Sequence, residues 1–149
     1  MKKIFVTSVL ALATFTASAV DLGVNVGRDL SDPKRNYGGV SLSHSVGPVS
    51  AAVGFQRTSV GNNDQNRYSV VGGYDLVKVG KVQFTPVVGA SYIDNQNTVD
   101  GYAMTVGMEM SLPINKRLDG VVDLSYQVGQ SRIKNFNGGG ITTGIRYKF

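Results

Sequence analysis

The stretch Tyr102-Ala103-Met104-Thr105-Val106-Gly107-Met108-Glu109-Met110-Ser111-Leu112 decides the fold, because apolar residues alternate with small or polar ones along all of it. Successive side chains of a β-strand point to opposite faces, so this stretch has one apolar face and one face of small or polar groups. The same alternation recurs along the chain, for example at 119–129 and 139–149. Several such segments run 10 to 12 residues, about the length that a tilted strand needs to cross a bilayer.

The alternation predicts eight strands, at 21–27, 37–46, 49–57, 67–76, 81–92, 101–112, 119–129 and 139–149. Short turns near 47–48, 77–80 and 113–118 alternate with longer polar loops at 28–36, 58–66, 93–100 and 130–138. A soluble sandwich would bury the apolar face of each strand and expose the polar face to water. The polar face has few Lys and Glu residues, which argues against exposure to water. Long loops at one end and short turns at the other are typical of outer-membrane barrels. We therefore predict an all-β fold, an eight-stranded antiparallel up-and-down transmembrane β-barrel with periplasmic termini.

Residues 1–19 show the order of features of a secretory signal peptide: Lys2 and Lys3, an apolar run from Ile4 to Ala13, and the small residues Ala17-Ser18-Ala19. Its removal leaves one barrel domain at 20–149. Of the 15 basic residues, 13 then remain against 10 acidic ones, and this mild positive charge argues against a nucleic-acid partner. The chain has no cysteine, which excludes a disulfide scaffold and a thiolate metal site.

Aromatic residues are predicted to form two belts at the two membrane interfaces, where amphipathic rings are favoured. Phe55, Tyr68, Tyr92 and Tyr102 fall toward the loop ends of their strands, and Tyr74, Phe84, Tyr147 and Phe149 fall toward the turn ends. Pro86 does not fit a regular strand, since proline lacks the N–H that the ladder requires. We expect a bulge or a local irregularity there.

The C-terminal segment Gly144-Ile145-Arg146-Tyr147-Lys148-Phe149 resembles the closing strand of bacterial outer-membrane barrels, which alternates and ends in an aromatic residue, usually Phe. With the signal peptide and eight strands, the whole mature chain resembles the small barrels of the OmpX and OmpA membrane-domain class. The glycine-rich strands and the Val46-Gly47-Pro48-Val49 turn also resemble YfaZ-type outer-membrane proteins. The resemblance implies a bacterial outer-membrane location and an assembly signal at Tyr147 and Phe149 that the barrel-assembly machinery reads. It implies no activity.

One departure from this class concerns the exterior loops. They have only about eight or nine residues each, whereas OmpX-like adhesins carry strands and loops that project well above the membrane. A protruding adhesive sheet is therefore not expected.

Several charged residues share the inward phase of the last strands. Glu109, Asp123, Arg146 and Lys148 are predicted to form a lumen charge cluster near the periplasmic end, and Asp75 extends it. An eight-stranded barrel has room inside for little besides side chains, and buried charges must be paired. We expect Arg146 to pair with Asp123 and the cluster to plug the lumen. The alternative is a gate for a narrow pore.

Basic residues also gather in or beside the exterior loops. We expect Arg35, Arg57, Arg67 and Arg132 to face lipopolysaccharide, because guanidinium groups match phosphate geometry well. The alternative is ordinary solvated loop charge with nearby aspartates as partners. We expect the protein to be a monomer. Its expected partners are outer-membrane lipid, lipopolysaccharide and the barrel-assembly machinery.

His44 is the one histidine, with Ser43 and Ser45 beside it. It falls on the lipid-facing phase at the turn end, so an interfacial side chain is expected rather than a catalytic base. No metal or other cofactor is expected, because Asp94 and Asp100 lack the spacing of a calcium loop. The predicted role is therefore structural or interactive. The alternative is a narrow pore or a lateral-diffusion transporter for small or apolar molecules, and the third possibility is a lipid-modifying enzyme.

Overall fold

The computed structural model describes residues 20–30, 35–60, 63–95, 100–129 and 137–149. The expected signal peptide lies outside these residues. The described residues form nine β-strands: β1 (Val20–Asp29), β2 (Asn36–Val46), β3 (Val49–Val60), β4 (Asn63–Tyr74), β5 (Val77–Val79), β6 (Val82–Asn95), β7 (Gly101–Pro113), β8 (Leu118–Gly129) and β9 (Gly138–Lys148). They include no helix long and apolar enough to span a membrane.

The nine strands build a closed eight-stranded barrel, because β4 and β5 are two parts of one barrel strand. Both pair with β6, and every neighbouring pair around the sheet is antiparallel. β1 closes the barrel against β9 through nine consecutive residue pairs. The predicted eight-stranded antiparallel barrel is thus confirmed. The predicted loop at 58–66 is too long, since β3 extends to Val60 and β4 begins at Asn63.

The pairing register fixes the tilt of the strands. From Val24, paired residues lead through β2, β3, β4 and β6 to Tyr102 on β7. In the other direction, through β9 and β8, they lead to Leu112, ten residues further along the same strand. This offset after one circuit of the barrel is its shear. With ordinary strand spacings, a shear of ten over eight strands gives a tilt of about 40° and a backbone radius of about 8 Å.

The two ends of the barrel differ. What we call the turn end carries the short turns at 47–48, 80–81 and 114–117 together with both ends of the barrel chain, and the loop end carries the other connections. Gly47 and Gly80 adopt φ of 60° and 61° in two of the turns. This left-handed conformation favours glycine, because it has no Cβ to clash.

Burial in the barrel is the reverse of that in a soluble protein. The described residues bury more polar side chains than apolar ones; the polar set comprises Ser43, Thr58, Gln65, Arg67, Thr85, Ser91 and Asp119. Apolar side chains cover the outer wall, among them Val24, Val26, Val40, Val88, Met104, Val106, Leu124, Val128 and Ile145. An apolar wall around a polar interior is the pattern of a barrel that spans a bilayer.

Pro86 lies opposite the break between β4 and β5. The β4–β6 register ends at Gly73↔Val87 and resumes as Val77↔Phe84, so three residues of one strand face two of the other. This is a β-bulge. The Phe84 carbonyl accepts a hydrogen bond from the Leu76 N–H on the neighbouring strand. Pro86 lies two residues further along β6, so its backbone nitrogen faces the same neighbouring strand. The bulge therefore falls where Pro86 cannot donate, as expected from the sequence.

Four aromatic residues form a single row on the outer wall at the loop end. Phe55 pairs with Tyr68, Tyr68 with Tyr92, and Tyr92 with Tyr102. The ring centroids of Phe55 and Tyr68 lie 5.3 Å apart, and those of Tyr92 and Tyr102 lie 5.2 Å apart. Tyr147 and Phe149 pack edge-to-face at 5.0 Å at the turn end.

Glycine lets neighbouring strands approach on the inner face. A Cβ on Gly144 would lie 2.4 Å from the carbonyl oxygen of Val24, which is backbone and cannot move aside. On the outer face of the same strand, a Cβ on Gly139 would meet only the Ser125 carbonyl oxygen, at 3.9 Å.

We predict that Gly144→Ala lowers the free energy of unfolding by about 1–3 kcal/mol, because the added methyl group forces β1 and β9 apart. Gly139→Ala is the matched control, expected to change it by less than about 0.5 kcal/mol. Urea unfolding from lipid vesicles, followed by circular dichroism, measures both. Equal stability of the two variants would show that close strand approach at Gly144 is not required.

Candidate functional site

The candidate site is the barrel lumen, where side chains form one cluster at each end. The turn-end cluster contains two ion pairs. Arg146 Nη2 donates to Glu109 Oε2 at 2.6 Å, and Lys148 Nζ lies 2.7 Å from Asp119 Oδ2. The side chains of Arg146 and Glu109 are each only 21% exposed, so the charges compensate one another where water is limited.

Arg146 pairs with Glu109 rather than with Asp123, which corrects the pairing expected from the sequence. Glu109 lies directly opposite Asp123, and Asp123 lies opposite Thr142. Because the strands tilt, this row climbs toward the loop end from β7 to β9. Glu109 is therefore nearer than Asp123 to the level of Arg146. Asp123 accepts a hydrogen bond from Ser125 instead.

A hydrogen bond with Thr85 connects Asp75 to the lumen wall. The Thr85 hydroxyl donates to Asp75 Oδ1 at 2.7 Å, and Thr85 itself lies opposite Glu109 on the neighbouring strand. Thr85 is buried, whereas Asp75 is exposed at the bulge. The structure thus places Asp75 at the edge of the turn-end cluster.

The loop-end cluster is built on Tyr37 and Arg67. The Tyr37 hydroxyl is 2.8 Å from Thr142 Oγ1, and its ring packs against Gly27, where any Cβ would overlap the ring. The Arg67 guanidinium lies 5.6 Å from the centroid of that ring. Its Nη1 also donates to Gln56 Oε1 at 3.3 Å. These side chains extend across the lumen between β2, β4 and β9.

The four arginines expected to face lipopolysaccharide have different positions. Arg67 points into the lumen and is only 7% exposed, so it does not face lipid. It lies opposite Gln56 and Ile93 on the neighbouring strands, and all three side chains are on the inner face of the barrel. Arg57 is on the outer wall and forms an ion pair with Asp64. Arg35 is half-buried beside the start of β2. Arg132 lies outside the described residues.

A cavity of about 160 Å³, lined by both polar and apolar groups, lies between the two clusters. Arg67 and Gln56 line its loop end, while Glu109 and Arg146 line its turn end. Small residues line the middle; they include Gly23, Ser41, Ala52, Gly54, Ser69, Ser125 and Gly144. Such a volume holds roughly five to ten water molecules. The side chains thus occupy the two ends of the lumen without filling its centre.

His44 projects from the outer wall at the turn end, opposite Val20 and Ala51. Ser43 and Ser45 flank it, but they point to the opposite face of the strand. Among the described residues, no group of His, Asp and Glu has the arrangement of a metal site.

Tyr37, Asp119 and Gln56 also belong to the lumen, although none of them was predicted as a member of the charge cluster. The alternation of β3 already places Gln56 on the polar inner face, and Tyr37 and Asp119 have the inward phase of their strands as well. Their partners could not be predicted, because Tyr37 and Thr142 are 105 residues apart and meet only once the barrel closes. Asp119, the second residue of β8, likewise meets Lys148 only in the closed barrel.

Comparison with solved structures places this fold among small outer-membrane barrels. Neisserial surface protein A superposes with a TM-score of 0.66 at 17% identity, covering 88% of this chain and 96% of that one. Ail of Yersinia pestis gives a TM-score of 0.56 at 13% identity, with 89% and 99% covered. The outer membrane enzyme PagL gives 0.55 at 12% identity, with 87% and 98% covered.

At these identities the likeness shows the fold, which hosts binding proteins and enzymes alike. Protein-family models and curated protein sequences give no match to the chain. The fold and the polar lumen together define an eight-stranded barrel of the outer-membrane class, in agreement with the resemblance seen in the sequence.

The ion pairing in the lumen can be tested by double-mutant cycles. We predict a coupling of about 1 kcal/mol or more between Glu109→Gln and Arg146→Met, because they share a partly buried hydrogen bond. The matched cycle of Asp123→Asn with Arg146→Met is expected to couple by less than about 0.5 kcal/mol. Urea unfolding in vesicles measures both cycles. Stronger coupling to Asp123 would contradict the observed pairing.

Proposed function

We propose that this protein is an integral barrel of the bacterial outer membrane with a structural or surface-interaction role, in direct contact with lipopolysaccharide. The observation that carries the proposal is the reversed burial, with an apolar outer wall around a polar lumen. Such a wall is stable only in an apolar solvent. In barrels of this class the short turns and termini are periplasmic and the loops are exterior, and the turn and loop ends fit that orientation.

Contact with lipopolysaccharide is supported by the basic residues at the loop end. Arg57 projects from the outer wall there, and its side chain is 56% exposed even though it pairs with Asp64. The outer leaflet of a bacterial outer membrane presents phosphates at this level, and guanidinium groups bind phosphate in a bidentate manner. The lipid-facing wall thus supplies a group suited to the lipid that surrounds it.

A narrow pore is the second candidate, and the cavity between the two clusters favours it. Against it, the Tyr37–Arg67 cluster and the two ion pairs occupy the lumen on either side of the cavity. A lateral exit is also opposed by the continuous pairing of β1 with β9. We propose that the lumen does not conduct and that its polar groups stabilise the barrel.

An enzymatic role is not proposed. The lipid-modifying enzyme considered from the sequence would need His44 close to a hydroxyl and a carboxylate in the exterior leaflet. His44 instead lies at the opposite end of the barrel from the loops. Its flanking serines point to the other face of the strand.

The location and the closed lumen are tested together. We predict that the protein stays in the membrane fraction after carbonate extraction and migrates differently in SDS gels with and without boiling. The purified barrel in planar bilayers should show no discrete conductance steps. Regular steps that disappear in Arg67→Trp would favour the pore, while a protein released by carbonate with no heat-dependent shift would overturn the membrane barrel.

The proposed assembly signal has its own test. Phe149→Ala should reduce the amount of inserted protein without affecting export, because the terminal aromatic residue is removed. Phe84→Ala is the matched control, since Phe84 is an aromatic residue near the same end but away from the C-terminus. Immunoblots of membrane and periplasmic fractions measure both variants. Wild-type insertion of Phe149→Ala would contradict the role of the terminus.

A further inference from the structure

A groove runs down the outer wall of the barrel across β8, β9, β1, β2 and β3. Its volume is about 850 Å³. Arg28, Asn36 and Arg57 line its loop end, and the rest of its lining includes the outward side chains of Val26, Val122, Ile141 and Thr143. These seven side chains all lie on the outward phase of their strands, so the groove opens to lipid rather than to the lumen.

Gly38 produces the depression in the wall. It lies between Val26 on β1 and Arg57 on β3 in one row of paired residues. A Cβ at Gly38 would meet nothing closer than the Asn25 carbonyl oxygen, at 3.9 Å. The missing side chain therefore leaves a gap between two neighbours that project outward. A larger side chain here would fill the groove without forcing the backbone apart.

The two arginines lie at the level of the aromatic row. From the tilt and the register, Arg28 and Arg57 are within about 3 Å of the height of Tyr68 and Tyr92 along the barrel axis. Aromatic rows of this kind mark the membrane–water interface. From there the groove descends by about 12 Å to Val122, well inside the apolar band. It is thus cationic at headgroup level and apolar below.

The spacing of the two arginines indicates which headgroup fits. They are two strands apart and offset by two residues, so their Cα atoms are about 12 Å apart. Asp64 pairs with Arg57 and holds its side chain in place while over half of that side chain stays exposed. Two arginines whose Cα atoms are this far apart can each contact one phosphate of a headgroup that carries two phosphates at opposite ends, whereas a headgroup with a single phosphate engages only one of them.

We propose that this groove binds one molecule of lipid A, the bisphosphorylated glycolipid anchor of lipopolysaccharide. Its two phosphates contact Arg28 and Arg57, and an acyl chain lies along Val26, Ile141 and Val122. The proposal rests on the proposed function, because only an exterior loop end brings the groove into the leaflet that contains this lipid. The proposed function requires only a general contact with lipopolysaccharide, and the groove adds one defined, saturable site for it.

The test uses the full barrel, folded in zwitterionic detergent micelles and titrated with diphosphoryl lipid A. Nuclear magnetic resonance follows the Nε–H groups of Arg28 and Arg57 and the methyl groups of Val26 and Ile141. We expect saturable shifts with one lipid A bound per barrel. Dephosphorylated lipid A should bind at least about tenfold more weakly, because the charge-assisted hydrogen bonds are lost.

Three variants separate charge from shape. Arg28→Gln and Arg57→Gln should each weaken lipid A binding by about tenfold. Gly38→Leu fills the groove, leaves both charges in place, and should weaken binding at least about fivefold. Lys116→Gln is the matched control; it removes one exposed positive charge in the turn-end segment 114–117 and should change binding less than twofold. Circular dichroism and heat-dependent gel mobility verify that each variant is folded.

The outcomes distinguish this site from the proposed function. If lipid A binds the wild type, Arg28→Gln, Arg57→Gln and Gly38→Leu with equal affinity, the contact with lipopolysaccharide stands and the groove is not the site. If lipid A does not bind the wild type at all, both the groove and the proposed contact are wrong, while membrane insertion is judged by the extraction experiment. If phosphatidylglycerol binds as tightly as lipid A, the assignment to a bisphosphorylated lipid is overturned.

Discussion

Closure of the sheet between β1 and β9 is the interaction on which the rest of the structure depends. A bilayer offers no water to backbone N–H and C=O groups, and each unsatisfied group there costs several kcal/mol. The nine consecutive pairs from Asp21↔Lys148 to Asp29↔Gly140 leave no free edge on this seam. Pro86, in the interior of β6, obeys the same constraint, since it lies where the β4–β6 ladder is interrupted by the bulge.

Closure also creates the lumen and decides what fills it. A shear of ten tilts the strands, and the tilt sets which inward residues share a level along the barrel axis. Arg146 therefore meets Glu109 rather than Asp123, although Asp123 is on the adjacent strand. The small residues between the two clusters leave a cavity instead of a fully packed core. The side-chain contacts that cross the lumen are therefore concentrated at its two ends.

Much of this structure could be predicted from alternation alone, because a period of two is a local property of the chain. The strand count and the two faces follow from it, and the irregularity at Pro86 follows from the missing N–H of proline. Partners inside the lumen could not be predicted, since they depend on shear and closure. Arg67 was predicted to face lipid because it is a basic residue near a loop, although the alternation of β4 already gives it the inward phase. Only its contact with the Tyr37 ring depends on closure of the barrel. The groove on the outer wall was likewise invisible in the sequence, because its lining comes from five strands.

The structure requires that the apolar face of each strand contacts lipid and that the other face lines a polar lumen. The chain has no cysteine, so single cysteines can be introduced at each position from 102 to 112 and spin-labelled in lipid vesicles. Electron paramagnetic resonance then measures the accessibility of each label to oxygen, which partitions into lipid, and to a water-soluble nickel complex. We predict high oxygen accessibility at Met104, Val106, Met108 and Met110, and low oxygen accessibility at the residues between them. Uniform accessibility along the strand, or high nickel accessibility on the apolar face, would contradict it.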